Sequence, residues 1–68
     1  MYNWQEYIRV KPSRSNIYLV WEQDAAWPTL ANWCKEDGFT DVDDDEPLDD
    51  YVTHWTEMKD PKGKLVQA

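Results

Sequence analysis

The chain has 68 residues, a length that is enough for one small domain and excludes a second. Its net charge is -7. Its single cysteine, Cys34, excludes an intramolecular disulfide, and no apolar run is long enough to cross a membrane. Five Trp, four Tyr and one Phe supply enough apolar surface for a core. We therefore expect one folded domain over residues 1–68, located in the reducing cytoplasm.

The first third of the chain predicts two strands. Residues 2–11 alternate between apolar and polar side chains, as in a strand with one solvent-exposed face. A polar turn over residues 12–16 separates them from residues 17–21, a run of β-forming residues that predicts a more buried strand. Because the two segments are joined by a turn, we expect them to pair as a hairpin.

Residues 28–37 predict a helix that packs on one face of the sheet. Pro28 suits the first turn, and Gly38 suits the left-handed residue that ends a helix. The apolar residues recur at i, i+3 and i+4, at Leu30, Trp33 and Cys34. This pattern makes Cys34 a small core residue and not a nucleophile.

The last third of the chain allows two interpretations. After a short strand at residues 39–42 and the acidic run, residues 51–58 fit either a helix or a strand. The strand is favoured, because the turn at residues 60–63 would then lead into a returning strand at Leu65 and Val66. The predicted fold class is therefore α+β, a small antiparallel sheet of four or five strands with one helix at about residues 28–37.

The negative charge is concentrated in one third of the sequence. Between Glu36 and Met58 there is no Lys or Arg, whereas ten of the fourteen acidic residues lie there. These ten are Glu36, Asp37, Asp41, Asp43, Asp44, Asp45, Glu46, Asp49, Asp50 and Glu57. Residues 41–50, the acidic loop, hold seven of them. Such a run either keeps a Trp-rich protein in solution or faces a positively charged partner. Its negative charge repels nucleic acid and anionic membranes, which are therefore unsuitable as direct partners.

The side chains offer little for catalysis. His54 is the single histidine, there is no Gly-x-Ser-x-Gly turn, and two glycines cannot form a phosphate-binding loop. We therefore predict a protein that is not an enzyme and needs no cofactor.

A calcium-binding loop is matched only in part. Asp41, Asp43 and Asp45 fit its first, third and fifth positions, but Glu46 replaces the required Gly and Val52 replaces the bidentate Glu. No metal ligands are therefore assigned, and a weak divalent-ion binder is kept as an alternative.

Charge spacing and exposed aromatics suggest how the acidic loop could be used. If residues 43–46 were extended, their carboxylates would repeat about every 3.3 Å, close to the roughly 3.4 Å between phosphates along one DNA strand. Trp27, beside Pro28, and Trp55, close to the acidic loop in sequence, suit the aromatic anchors of an interface with an acidic rim.

A small, acidic, aromatic-rich chain with the run at residues 41–50 resembles the phage-encoded inhibitors that mimic DNA, such as anti-CRISPR and anti-restriction proteins. The resemblance lies in size, charge and the acidic run, and these inhibitors share no common fold. It implies a basic nucleic-acid-binding partner, such as a subunit of a bacterial defence complex, in the host cytoplasm.

The resulting hypothesis is a DNA-mimic inhibitor that blocks a basic surface, as a monomer or a weak homodimer. Its partner-binding residues would be the ten carboxylates together with Trp27 and Trp55. The alternative from another class is a protein-interaction or antitoxin-like module anchored by Trp, for which the aromatic side chains would matter more than the charges.

Overall fold

A computed structural model describes residues 3–66, which form a five-stranded antiparallel sheet. Its strands are β1 Gln5–Glu6, β2 Asn16–Glu22, β3 Thr29–Cys34, β4 Gly38–Asp41 and β5 Val52–Thr56. The order across the sheet is β1-β5-β2-β3-β4. Thus β2, β3 and β4 follow one another as neighbours, whereas β5 returns to the far side of β2 and separates it from β1.

The predicted helix at residues 28–37 is wrong. Residues 3–66 contain no helix, and the segment forms β3 and the turn after it, so the fold is all-β and not α+β. Ala31 and Trp33 are buried, Asn32 between them is half-buried and Leu30 before them is 44% exposed, which is the alternation of a strand. Since β3 pairs with β2 on one side and β4 on the other, its backbone groups are satisfied along both edges. Gly38 is left-handed, with φ of 72°, but it follows the β3–β4 turn instead of a helix.

Three strand predictions are confirmed. The segment at 17–21 lies within β2, the segment at 39–42 overlaps β4, and the segment at 51–58 contains β5. The turn at residues 60–63 is confirmed as well, because the Asp60 N–H donates to the Lys64 carbonyl at 2.8 Å and Lys59 bridges to Leu65. Gly63 has the positive φ, 86°, that this turn requires.

The predicted hairpin of the first two strands is wrong. Within the part of 2–11 that the structure describes, the strand is only Gln5–Glu6, and β1 pairs with β5 instead of β2. Residues 7–15 instead cross one face of the sheet. The Trp55 indole N–H donates to the Val10 carbonyl at 2.7 Å, and the Tyr18 hydroxyl donates to the Arg14 carbonyl at 2.8 Å.

The core lies between this crossing segment and the inner face of the sheet. Its buried members are Tyr7, Tyr18, Val20, Ala31, Trp33, Phe39, Val52 and Trp55. Phe39 makes edge-on contacts with Tyr7 and Tyr18, at centroid distances of 4.8 and 6.3 Å, and Tyr18 makes another with Trp55 at 5.2 Å. Each such pair contributes about 0.5–1.5 kcal/mol beyond the area that it buries. Among the described residues, none belongs to a helix that could cross a membrane.

Candidate acidic interface

The acidic loop connects β4 to β5 and begins with a closed turn. The Asp41 N–H donates to the Glu46 carbonyl at 2.8 Å, and the Asp45 N–H donates to the Asp41 carbonyl at 3.1 Å. Asp45 is left-handed, with φ of 58°, a conformation that Asp tolerates better than most residues. The extended geometry considered for residues 43–46 is therefore not formed, and the match to the spacing of DNA phosphates does not apply.

Two carboxylates stabilise this turn. Asp41 Oδ1 accepts a hydrogen bond from the Asp43 N–H at 2.8 Å, and Asp44 Oδ1 accepts one from the Glu46 N–H at 3.0 Å. Such bonds to the backbone two residues ahead are a common reason for Asp in turns. They explain why a segment of like charges closes on itself instead of remaining extended.

The remaining carboxylates of the turn face solvent. The side chains of Asp43, Asp45 and Glu46 are exposed. Asp44, which bonds to the Glu46 N–H, and Asp50, after the turn, are exposed as well. The salt bridge found within residues 3–66 joins Arg9 and Glu6, at 3.4 Å, in the turn after β1. The charge of the acidic loop is therefore not balanced by an ion pair with any described cation.

Asp49 has a different environment from its neighbours. Its Oδ1 accepts hydrogen bonds from the Tyr7 hydroxyl at 2.5 Å and from the Phe39 N–H at 3.1 Å. The Trp33 indole N–H in turn donates to the Tyr7 hydroxyl at 3.1 Å. Burial, together with the Asp49 carboxylate, raises the pKa of Tyr7 to about 12. Asp49 is thus part of the core network and not part of a displayed charge surface.

The segment between the turn and Asp49 runs back along β4. Pro47 forms a β-bridge with Thr40, the Leu48 N–H donates to the Phe39 carbonyl at 2.9 Å, and Leu48 packs against the core. This return covers the outer edge of β4, which a sheet would otherwise expose to pairing with other chains. The acidic turn, residues 41–46, is therefore held at both ends.

The predicted residues outside the acidic loop do not all join it. Glu36 and Asp37 are exposed in the β3–β4 turn, and Asp37 lines a surface depression together with Asp45. Glu57 follows β5, which is separated from β4 by β2 and β3. Burial raises the pKa of Tyr18; the Arg14 charge acts against this shift and the Glu57 charge adds to it.

The two predicted aromatic anchors differ in exposure. Trp27, in the β2–β3 connection, is 69% exposed, whereas Trp55 is 6% exposed and belongs to the core. Trp55 is therefore a core residue, and its predicted role as an interface anchor does not fit its burial. Tyr51, which the sequence did not single out, is 58% exposed, and its carbonyl accepts the Gln23 N–H at 2.7 Å. This bond brings the β2–β3 connection to the residue that follows the acidic loop.

No three His, Cys, Asp or Glu side chains between residues 3 and 66 are grouped so that they could hold a metal ion. In comparisons with known proteins, no family model, curated protein or solved structure matches the chain.

Proposed function

We propose that this chain is a non-enzymatic binding protein that occupies a basic, nucleic-acid-binding surface of a partner protein. The observation that carries the proposal is the acidic turn at residues 41–46. Its four carboxylates at residues 43–46 are exposed, they form no ion pair with a described cation, and the turn is held in place by its own hydrogen bonds. A nucleic-acid-binding subunit of a bacterial defence complex is a partner of this kind.

The turn offers its charge in a fixed arrangement. Its backbone is closed by the bonds between Asp41 and Glu46, so little backbone freedom remains to be lost when a partner binds. A cationic surface would also relieve the repulsion among the carboxylates of the turn. Charge complementarity of this kind mainly raises the association rate and selects among partners.

The closed turn also determines the shape of the surface that it fits. Four consecutive acidic side chains, at residues 43–46, are displayed around one turn instead of along a row. The complementary feature is a compact basic patch, of the size that holds one or two phosphates, and not a long groove that follows a strand of DNA.

Exposed aromatic side chains supply the apolar part of the interface. Trp27 and Tyr51 both lie at the end of the sheet where β2 finishes and β5 begins, beside the acidic loop. Large aromatics dominate binding energies in protein interfaces, while charges at the rim contribute less to affinity. We expect Trp27 to affect the residence time of the complex and the acidic turn to affect its rate of formation.

The test is capture from a bacterial lysate on the immobilised protein, with matched charge variants. In the first variant, Asp43→Asn, Asp45→Asn and Glu46→Gln remove three charges from the turn but keep Asp44 in place to accept the Glu46 N–H. The control removes three charges elsewhere, by Glu6→Gln, Glu57→Gln and Asp60→Asn. Both variants should remain folded by circular dichroism.

We expect the unmodified protein to retain nucleic-acid-binding proteins at about 50 mM salt and to release them by about 500 mM, because phosphate-binding surfaces depend steeply on ionic strength. Added DNA should compete with retention, the turn variant should lose it, and the control should keep it. Retention that is indifferent to salt, to DNA and to the turn variant would contradict the proposal.

A protein-interaction module anchored by Trp is the second candidate, and the 69% exposure of Trp27 favours it. In that case Trp27→Ala should abolish capture at every salt concentration, while the turn variant should change it little. The same capture experiment therefore separates the two candidates.

A further inference from the structure

A shallow cavity, open to solvent, on the face of the sheet opposite the core is lined by two tryptophans and two carboxylates. Trp4 lies just before β1 and Trp21 lies in β2, with ring centroids 5.9 Å apart and ring planes at 86°. Glu22 and Asp24 line the same cavity, together with Thr53 and His54 of β5.

The strand register explains why these side chains meet. Along β2, Tyr18 and Val20 point into the core, so Trp21 points to the other face. Trp21 pairs directly with His54, which places both on that face. The pairing with β5 shifts between Trp21 and Glu22, and such an irregularity re-aims the next side chain.

Both carboxylates line the cavity from the end of β2 and the residues that follow it. Glu22 Oε2 accepts a hydrogen bond from the Thr29 hydroxyl at 3.2 Å, which fixes one oxygen and leaves the other for a ligand. Asp24 is left-handed, with φ of 63°, at the start of the β2–β3 connection. The cavity therefore combines perpendicular indole rings with two negative charges on ordered backbone.

This combination selects for one class of ligand. The face of an indole ring attracts a cation, most strongly one whose charge is spread over methyl or methylene groups, and aromatic corners of this kind recognise alkylated ammonium groups. A neutral apolar ligand would gain nothing from the carboxylates. We propose that the cavity binds an alkylammonium group, as carried by the lysine or methylated lysine side chain of a basic partner protein.

The proposal rests on the proposed function and adds a specific contact to it. The cavity lies close to the end of the acidic loop, because the Thr53 hydroxyl donates to the Trp21 carbonyl at 3.1 Å and the Gln23 N–H donates at 2.7 Å to the carbonyl of Tyr51, the residue after the loop. A basic partner bound to the acidic loop would place one of its side chains against the two indole rings.

The test uses choline as the probe and 3,3-dimethyl-1-butanol as its neutral control, in which a carbon replaces the quaternary nitrogen. Protein labelled with ¹⁵N at the indole nitrogens is titrated at constant ionic strength, and the indole signals are assigned from single Trp→Phe variants. Choline should shift the signals of Trp4 and Trp21 but not those of the core residues Trp33 and Trp55. The neutral alcohol should bind at least about fivefold more weakly.

Variants of the carboxylates keep the test independent of any loss of packing. Asn tolerates a positive φ at position 24, and Gln at position 22 retains an acceptor for Thr29. Glu22→Gln with Asp24→Asn should weaken choline binding by about fivefold, whereas Asp43→Asn with Glu46→Gln, the same change in charge within the acidic loop, should change it by less than about twofold.

Two outcomes would overturn the proposal: equal binding of choline and the neutral alcohol, or choline shifts that spare Trp4 and Trp21. Because choline needs no protein partner, the result is separate from the capture experiment. If choline fails while salt-dependent capture persists, the cavity assignment fails and the proposed function stands. If choline binds and capture fails, the cavity assignment stands and the proposed function fails.

Discussion

Two kinds of carboxylate occur within the same ten residues of the acidic loop, and they differ in almost every physical respect. Asp49 is half-buried, accepts two hydrogen bonds and connects to the core through Tyr7. Asp43, Asp45 and Glu46 are exposed, and their side chains form no ion pair with a described cation. The contrast shows that hydrogen bonding and burial, not charge density along the sequence, decide which acidic residues are structural.

The two kinds also depend on each other. Asp49 fixes the return of the chain along β4, and that return positions the exposed turn at residues 41–46. The exposed charge cluster is therefore held in one place both by the hydrogen bonds of the turn and by the one member of the run that is turned inward. Changes at Asp49 should affect folding, whereas changes in the turn should affect binding.

The largest effect should come from Asp49→Ala. The change leaves the Tyr7 hydroxyl and the Phe39 N–H without their acceptor, which should lower the free energy of unfolding by about 3 kcal/mol. Urea denaturation followed by Trp fluorescence measures it. The matched control, Asp50→Ala, removes an exposed carboxylate and should change stability by less than about 0.5 kcal/mol. Equal losses in the two variants would remove the distinction between the two kinds of carboxylate.

The next largest effect should appear at alkaline pH. The pKa of Tyr7 is raised from 10.0 to about 12 in the folded protein, so the folded state holds the phenolic proton more tightly than the unfolded state. The corresponding stability, roughly 2–3 kcal/mol, is present below pH 10 and should be lost as the pH rises through about 12. Burial raises the pKa of Tyr18 as well, so it contributes with the same sign.

Comparison with Tyr7→Phe isolates this contribution. The variant should be less stable at neutral pH, because Asp49 loses a donor, but its stability should fall less steeply between pH 10 and 12. Denaturation midpoints across that range, with tyrosinate absorbance as a second signal, measure the difference. Identical slopes in the two proteins would contradict the assignment to Tyr7.

A smaller effect should come from Gly38→Ala, compared with Gly63→Ala. Both glycines have positive φ, so each change should cost about 1 kcal/mol in backbone strain. At position 38 the added Cβ would also lie 2.6 Å from the Asp49 carboxyl carbon, while at position 63 nothing lies within 4 Å. The loss at Gly38 should therefore be about twice that at Gly63 in thermal or urea unfolding. Equal losses would show that Asp49 can move aside freely.

Local patterns in the sequence predicted much of the sheet but not its connections. The dense β-forming run at 17–21 indicated β2 correctly, and the turn chemistry at 60–63 indicated the turn correctly. The returning strand expected at Leu65 and Val66 is reduced to an isolated bridge between Lys59 and Leu65. The helix prediction for residues 28–37 failed because three apolar residues at helical spacing do not exclude a strand. There, pairing with β2 and β4 decided the outcome.

The candidate site was predictable only where it depends on composition. The exposed acidic turn was predictable from its charge. Trp27 was predictable as an exposed aromatic from its position beside Pro28. The inward role of Asp49 depends on Tyr7, 42 residues earlier, and the burial of Trp55 depends on its bond to Val10, 45 residues earlier. No periodicity within one segment carries such information, because it arises when distant segments pack together.

The strand order has a consequence for how the protein reaches its fold during synthesis. β2 is apolar on both faces, and one of its edges stays unpaired until β5, thirty residues later, leaves the ribosome and inserts between β1 and β2. Until then the nascent chain exposes an adhesive strand edge, and the late, long-range closure is intrinsically slow. The carboxylates translated just before β5 lie in this same window, where their mutual repulsion would keep neighbouring unfinished chains apart.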